Sequence, residues 1–292
     1  MAPPEETPIA PAAAEPLRLG SDPDFSLMPE LFAAPLRPHL HAFGRFVRLA
    51  DAITDSTRLG REEKLARLLA LEAALSGGDA ALWSPESQAV ALGLRDSLKT
   101  TGIPADRVRH LLQALRRDVR GHVCVSWHDL LVYCQFAAAP IGRYMLALVD
   151  EDQMRCGRPA DALCGALRIL RQLRDCEDPT ISFNRLCIPR QFLDDAMITP
   201  AHLRVPSAKG QARAVLDRVL DGVERLLAEA APLPGLIHDR GLTIHAAVVL
   251  CRARKLVGRF RQRDPLRERV GLTSWQRTTC RWVGTLRGLG RC

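Results

Sequence analysis

Aromatic side chains, alternating β-branched runs, long apolar stretches and paired cysteine motifs are all scarce in this chain of 292 residues. Aromatics make up 5% while Ala and Leu recur throughout, which favours helices over strands. No run of 18 consecutive apolar residues is present, so a membrane-spanning helix is not expected. The opening Met1-Ala2-Pro3-Pro4-Glu5-Glu6 lacks the basic start and apolar run of an export signal. The nine cysteines include no C-x-x-C pair, which points to reduced, cytoplasmic thiols. His110, His122, His128, His238 and His245 show neither H-E-x-x-H nor Cys/His spacing, so no zinc site is assigned. Gly288-Leu289-Gly290 does not match a phosphate-binding loop, and no internal repeat of fixed period stands out.

What is present is an ordinary globular balance, 47% hydrophobic and 25% charged, enough to bury a sizeable core. Residues 1–24, rich in Ala, Pro and acidic side chains, bury too little apolar area to offset the entropy of ordering and read as a disordered tail. Residues 25–287 then read as one all-α domain. Apolar spacing places helices at about 37–55, 61–76, 85–100, 104–120, 127–149, 160–178, 209–230, 238–261 and 271–287. Ser84-Pro85 pairs a capping hydroxyl with a proline at the first helical position, and Ser126-Trp127-His128-Asp129 resembles a capping box. Pro140 should kink its helix near Ala137 to Ala139. Residues 179–206 form a long connection with at most a short helix around Phe192.

The net charge is +8, and such a surface attracts nucleic acid, anionic lipid or phosphorylated small molecules alike. The basic group Arg252, Arg254, Lys255, Arg259, Arg261 and Arg263 lacks a recognition motif, so nucleic acid is not expected; a solvated face or an anionic membrane surface remains. Asp51 and Asp55 are four apart, placing both carboxylates on one helix face about one turn apart. Asp175, Glu177 and Asp178 form a second acidic group near the end of another helix. Together the two groups suit Mg²⁺, which takes one or two carboxylates plus substrate phosphates and water. Spacing alone does not separate that reading from solvated helix surface.

The order of segments carries more. Phe43-Gly44-Arg45-Phe46-Val47-Arg48-Leu49-Ala50-Asp51-Ala52-Ile53-Thr54-Asp55 resembles the first aspartate-rich motif of squalene and phytoene synthases. Arg117-Asp118-Val119, Trp127 to Cys134 and Pro140-Ile141-Gly142-Arg143 resemble that family's central helix pair. Leu173-Arg174-Asp175-Cys176 followed by Asn184 to Pro189 resembles the second metal motif, and Arg263-Asp264-Pro265-Leu266 fits its ending. The chain most resembles the hopanoid-associated branch that converts presqualene diphosphate to hydroxysqualene.

The resemblance implies a single isoprenoid-synthase-type helical bundle around a central cavity. It implies Asp51, Asp55 and Asp175 as Mg²⁺ ligands and Arg48, Arg174 and Arg185 as diphosphate contacts; Asp178, next to the family's closing position, and Arg171, whose guanidinium could grip diphosphate, join these candidates from the helix face they share with Asp175. Tyr133 and Asp118 would be catalytic polar groups, and the substrate a prenyl diphosphate such as presqualene or farnesyl diphosphate. Peripheral contact with the inner membrane surface, and a partner synthase of the same pathway, are further partners compatible with it.

Several positions depart from the family. Gly44 replaces a tyrosine, Ala52 an acidic residue, Arg171 an asparagine and Pro179 the closing aspartate. Arg168, Arg171, Asp175 and Asp178 share a helix face, so Arg171 is expected to reach Asp175, and fewer Mg²⁺ ions should bind. Pro179 biases Asp178 away from helical angles. An active prenyltransferase or hydroxysqualene-forming lyase, a catalytically silent member that partners an active synthase, and an unrelated basic helical binding protein all stay open.

Overall fold

The computed structural model describes residues 24, 26–78, 82–177, 188–203 and 210–289, with side chains to residue 286. Among the described residues there is no strand; twelve α-helices account for nearly all of the regular structure. They are α1 (Arg37–Asp55), α2 (Arg61–Leu75), α3 (Pro85–Thr101), α4 (Asp106–Val119), α5 (Trp127–Ala137) and α6 (Ala139–Leu148). They continue with α7 (Gln153–Arg174), α8 (Arg190–Asp195), α9 (Gln211–Glu229), α10 (Leu233–Leu236), α11 (Arg240–Gln262) and α12 (Ser274–Leu289).

Local chemistry sets these boundaries. Ser84 and Ser87 close a reciprocal capping box at the start of α3, with Pro85 in the first turn. Ser126 accepts from the Asp129 N–H, and Asp129 accepts from the Val125 N–H, one residue earlier than a standard box would use. The kink expected at Pro140 is a full break: Ala138 leaves helical geometry, so one expected helix becomes α5 and α6 with Pro140 in the first turn of α6. Helix α7 starts at Gln153 rather than near residue 160, because Asp152 caps it through the Met154 and Arg155 N–H groups and Pro159 is carried inside. It gives way after Arg174 to a 3-10 turn, Asp175–Glu177.

Residues 127–148 are long enough, and apolar enough on average, to cross a membrane by length and composition alone, although polar residues interrupt the run. In the fold 61% of the most apolar window is buried and the segment is split at Ala138, as in a core hairpin. Helices α7 and α11 form the interior. α7 packs on α5, α6, α9 and α11, and α11 packs on α9, α10 and α12, while α1 lies against α2, α3 and α4. Phe43 of α1 stacks on Tyr144 of α6 with centroids 3.9 Å apart, and the Tyr144 hydroxyl donates to the His39 carbonyl at 3.1 Å. α6 approaches α7 closely because Gly142 has no side chain: a Cβ there would lie 2.8 Å from the Cys164 sulfur. Arg143 then ties the two helices with two hydrogen bonds to Asp161, 2.8 and 2.7 Å.

Asp24, which composition assigns to the end of the tail, is 1% exposed. Its carboxylate accepts from Arg174 at 2.8 Å, from the Leu272 N–H at 3.1 Å and from Arg277 at 3.2 Å. Arg174, 3% exposed, also donates to the Val270 carbonyl at 2.9 Å. One carboxylate therefore fastens the end of α7, the segment before α12 and the first turns of α12. Removing one partner of such a buried pair leaves an uncompensated charge, which costs about 3–5 kcal/mol. Asp24→Ala is expected to lower unfolding stability by about that amount in urea titrations; a loss below about 1 kcal/mol would show that the pair does not anchor the fold.

Candidate active site

Asp51 and Asp55 occupy the last two turns of α1, Asp51 half-buried and Asp55 at the exposed end. Between them Thr54 turns its hydroxyl back to the Ala50 carbonyl at 3.0 Å, so it does not compete for the carboxylates. Arg171, one turn before Asp175 on α7, reaches across to Asp51 at 3.4 Å. This corrects the expectation that Arg171 would bond Asp175: its hydrogen bond goes to the other helix, because the end of α1 lies within reach. Asp175 nonetheless feels Arg171, Arg269 and Asp55. Burial raises its pKa above the ordinary carboxylate value, Arg171, Arg269 and Arg174 oppose the rise, and Asp55 adds to it. The first acidic pair and Asp175 thus belong to one electrostatic cluster, which α1 and α7 build together.

A second polar group lies beside it. The Tyr133 hydroxyl of α5 donates to Asp118 of α4 at 2.8 Å and accepts from Arg168 of α7 at 2.7 Å, while Arg168 also donates to Asp118 at 3.1 Å. The guanidinium sits over the tyrosine ring, 5.7 Å from its centroid. Three helices hold the hydroxyl, so its direction is fixed.

On the same side of α7 as Arg171, in the middle turns of the helix, Cys164 and Leu167 line an apolar cavity of about 80 Å³ between α6, α7, α10 and α11. Gly142, Met145 and His245 are among its other walls. Burial, with the Arg252 charge adding to it, pushes His245 down to about 4, so the imidazole is neutral near pH 7. The distance from Cys164 to Asp175 along the helix is about 16 Å at 1.5 Å per residue.

Other sequence-derived site residues fall differently. Arg174 is placed away from the expected role: its guanidinium is engaged in the core with Asp24 and the Val270 carbonyl. Arg48 is half-buried on α1, where its charge joins burial in lowering the pKa of His41. Asp178, Pro179 and Arg185 lie outside the described residues. Two contributors carry no role in the sequence reading: Arg168, which the helical period places on the shared face, and Arg269, which no period links to α7. The donor chemistry of Asp51, Asp55 and Asp175 fits Mg²⁺ held jointly with phosphate oxygens. Among the described residues no three His, Cys, Asp or Glu side chains come together closely enough to hold a metal ion by themselves, so substrate oxygens would have to complete any such site.

The squalene/phytoene synthase family model matches residues 19–276. The chain belongs to that family. It is 34% identical to the hydroxysqualene synthase of Sinorhizobium fredii over 232 residues, 80% of this chain and 77% of that one. It is likewise 34% identical to that of Rhodopseudomonas palustris over 231 residues, 79% of this chain and 77% of the relative. The crystal structure of squalene synthase HpnC from Alicyclobacillus acidocaldarius superposes with a TM-score of 0.69 at 25% identity, covering 84% of this chain and 90% of that one. Membership places the chain in isoprenoid biosynthesis, in a family that acts on prenyl diphosphates and generally depends on divalent metal. The all-α bundle expected from the sequence is the fold of that solved structure.

The raised pKa of Asp175 gives a signed prediction. Its proton is held more tightly in the folded state, so its contribution to stability is fully present below the ordinary carboxylate pKa and is lost as pH rises through the raised one. Asp175→Asn should therefore be more stable than the parent at neutral pH, and the gap should close as pH falls through that window. Thermal unfolding from about pH 3.5 to 8 checks this. A variant less stable than the parent at neutral pH would show that Asp175 is a net stabilising ion-pair partner instead.

Proposed function

We propose that this chain ionises a prenyl diphosphate, with presqualene diphosphate as substrate and hydroxysqualene as product, in line with the activity its relatives are named for. The observation that carries the reading is the 3.4 Å contact of Arg171 on α7 with Asp51 on α1, because it joins the two acidic motifs at one end of a helix whose middle turns line an apolar cavity. Arg48, Arg171 and Arg269 supply cationic groups for diphosphate oxygens. Asp51, Asp55 and Asp175 are the oxygen donors that would hold Mg²⁺, and Asp178, outside the described residues, remains a proposed fourth. Bound there, Mg²⁺ would draw charge from the diphosphate and make it a better leaving group.

In the reaction the carbon–oxygen bond breaks and its electron pair leaves with diphosphate. The cyclopropylcarbinyl cation left behind rearranges with opening of its three-membered ring, water adds to the resulting cation, and the surplus proton passes to the departed diphosphate. The fixed Tyr133 hydroxyl, between Asp118 and Arg168, offers an oriented oxygen beside the cation path without itself being free to attack. The neutral His245 and the aliphatic walls keep charge out of the interior. At about 80 Å³ the cavity is smaller than the roughly 300–1,000 Å³ of typical ligand pockets, so the prenyl chain must spread α6, α7 and α11 as it enters.

A second reading rests on the same contact. With Arg171 holding Asp51, the chain is a silent member that acts by binding an active synthase of its pathway. Incubation with presqualene diphosphate and Mg²⁺, followed by extraction and mass spectrometry, separates the two. The first reading expects a hydroxylated product, and a loss in Asp51→Ala of about 10²–10³ in kcat, the scale of removing one electrostatic stabiliser. No product from the parent, together with product from Arg171→Asn, would support the silent reading. No product from either, with tight binding to an active synthase, would support it further.

A further inference from the structure

The C-terminal helix carries a surface that neither the fold nor the proposed chemistry uses. Cys280 and Gly284 face α11, where a Cβ on Gly284 would collide with Val248. On the opposite side Trp275, Trp282 and Leu286 are 73%, 67% and 64% exposed. At about 100° per residue these three fall within about 40° of one another, a single stripe pointing away from the protein. Val283, 40% exposed, widens it. Two tryptophans and a leucine on one stripe make an apolar patch of a kind that on soluble proteins marks an interaction site.

Charge tells what covers it. From Arg269 to Cys292 the sequence has no Asp or Glu and five arginines, of which Arg277 is turned to Asp24 and Arg269 acts on Asp175. Lys255 of α11 stands on the flank of the stripe, its ammonium 5.9 Å from the Trp275 ring and 2.7 Å from the Thr279 hydroxyl. Arg281, beside Trp282 in sequence, has a half-exposed side chain whose partner is the equally exposed Glu30 at 3.3 Å. A surface pair of that kind is weak, so Arg281 can exchange Glu30 for another anion. A helix with an apolar, tryptophan-bearing stripe, bordered by cations and without acidic residues of its own, is the pattern of a helix lying in the interface of an anionic bilayer. A protein partner of matched charge would have to be acidic, yet would leave two indole N–H groups to be met; the headgroup layer meets both needs at once.

We propose that α12 docks the protein on an anionic membrane surface, with Trp275, Trp282 and Leu286 in the headgroup layer and Lys255 and Arg281 over acidic lipid. The inference does not depend on the catalytic reading, since a silent family member would dock equally. The same geometry would let a long apolar substrate or product exchange with the bilayer.

The test is co-sedimentation of the full chain with vesicles of phosphatidylcholine alone or with one quarter phosphatidylglycerol, at low and high salt, with tryptophan emission recorded in parallel. Binding to the phosphatidylglycerol vesicles is expected, with a blue-shifted emission, at least about tenfold weaker at about 0.5 M salt, where the Debye length is only a few ångströms. The Trp275→Ser/Trp282→Ser double variant should lose at least about tenfold in bound fraction while keeping the parental melting temperature. Should the double variant fold poorly, Leu286→Asp provides the same loss by placing a charge in the stripe. Absence of vesicle binding, or binding untouched by both variants, overturns the proposal. So does a parent that sediments as a dimer and becomes monomeric on Trp282→Ser, which would assign the stripe to a second copy.

Discussion

Arg168, Arg171 and Arg174, about one per turn along α7, each meet a carboxylate from a different part of the chain: Asp118 of α4, Asp51 of α1 and Asp24 ahead of α1. A guanidinium inside a helical bundle is tolerated only when paired and hydrogen-bonded, because desolvation of a lone ion costs several kcal/mol. The charges on α7 therefore dictate which elements must close around it. Arg143 and Asp161 repeat the device between α6 and α7. The apolar core gives the bundle its stability, but these pairs fix its register, and each would be misaligned by sliding α7 a single turn.

The three pairs differ in depth, and the gradient separates structure from chemistry. Arg174 and Asp24 are 3% and 1% exposed and serve as a lock. Arg168 and Asp118, at 15% and 9%, hold the Tyr133 hydroxyl. Arg171 and Asp51, at 28% and 15% and 3.4 Å apart, form the loosest and wettest of the three. This half-buried pair is the most weakly held of the three, so on the proposed reading an incoming diphosphate can take Arg171 from Asp51 and leave the carboxylate facing the anion's counter-ion. The departure from the family asparagine is in this view a gate on the site rather than its loss.

Much of this is legible in the amino-acid sequence. Most helix ends fall within a few residues of where apolar spacing predicts them, since that spacing and the Ser, Asp and Pro signals act locally. Spacing and resemblance single out Asp51, Asp55 and Asp175, and α1 and α7 do bring them into one electrostatic cluster. What escapes is non-local. Arg174 reads as a diphosphate contact in sequence because its partner, Asp24, is 150 positions away in a segment whose composition suggests a tail. The helical period points Arg171 along its own helix, and only the approach of the end of α1 to the end of α7 shows the nearer carboxylate. Arg269 acts on Asp175 from the loop between α11 and α12, where no periodicity applies. Pro140 predicts the disturbance at Ala138, although its completeness depends on the Ala138 backbone.

The proposed chemistry stands on a prenyl diphosphate bound with its head between the ends of α1 and α7 and its chain along the α6–α7–α11 cavity. A crystal structure with a non-hydrolysable prenyl thiodiphosphate and Mg²⁺ measures that directly. The expected result is diphosphate against Arg48, Arg171 and Arg269, metal density on Asp51, Asp55 and Asp175, Arg171 moved off Asp51, and the prenyl chain against Gly142, Leu167 and His245. A diphosphate bound elsewhere, or a ligand-bound crystal in which Arg171 still holds Asp51 and the cavity stays closed, would contradict it.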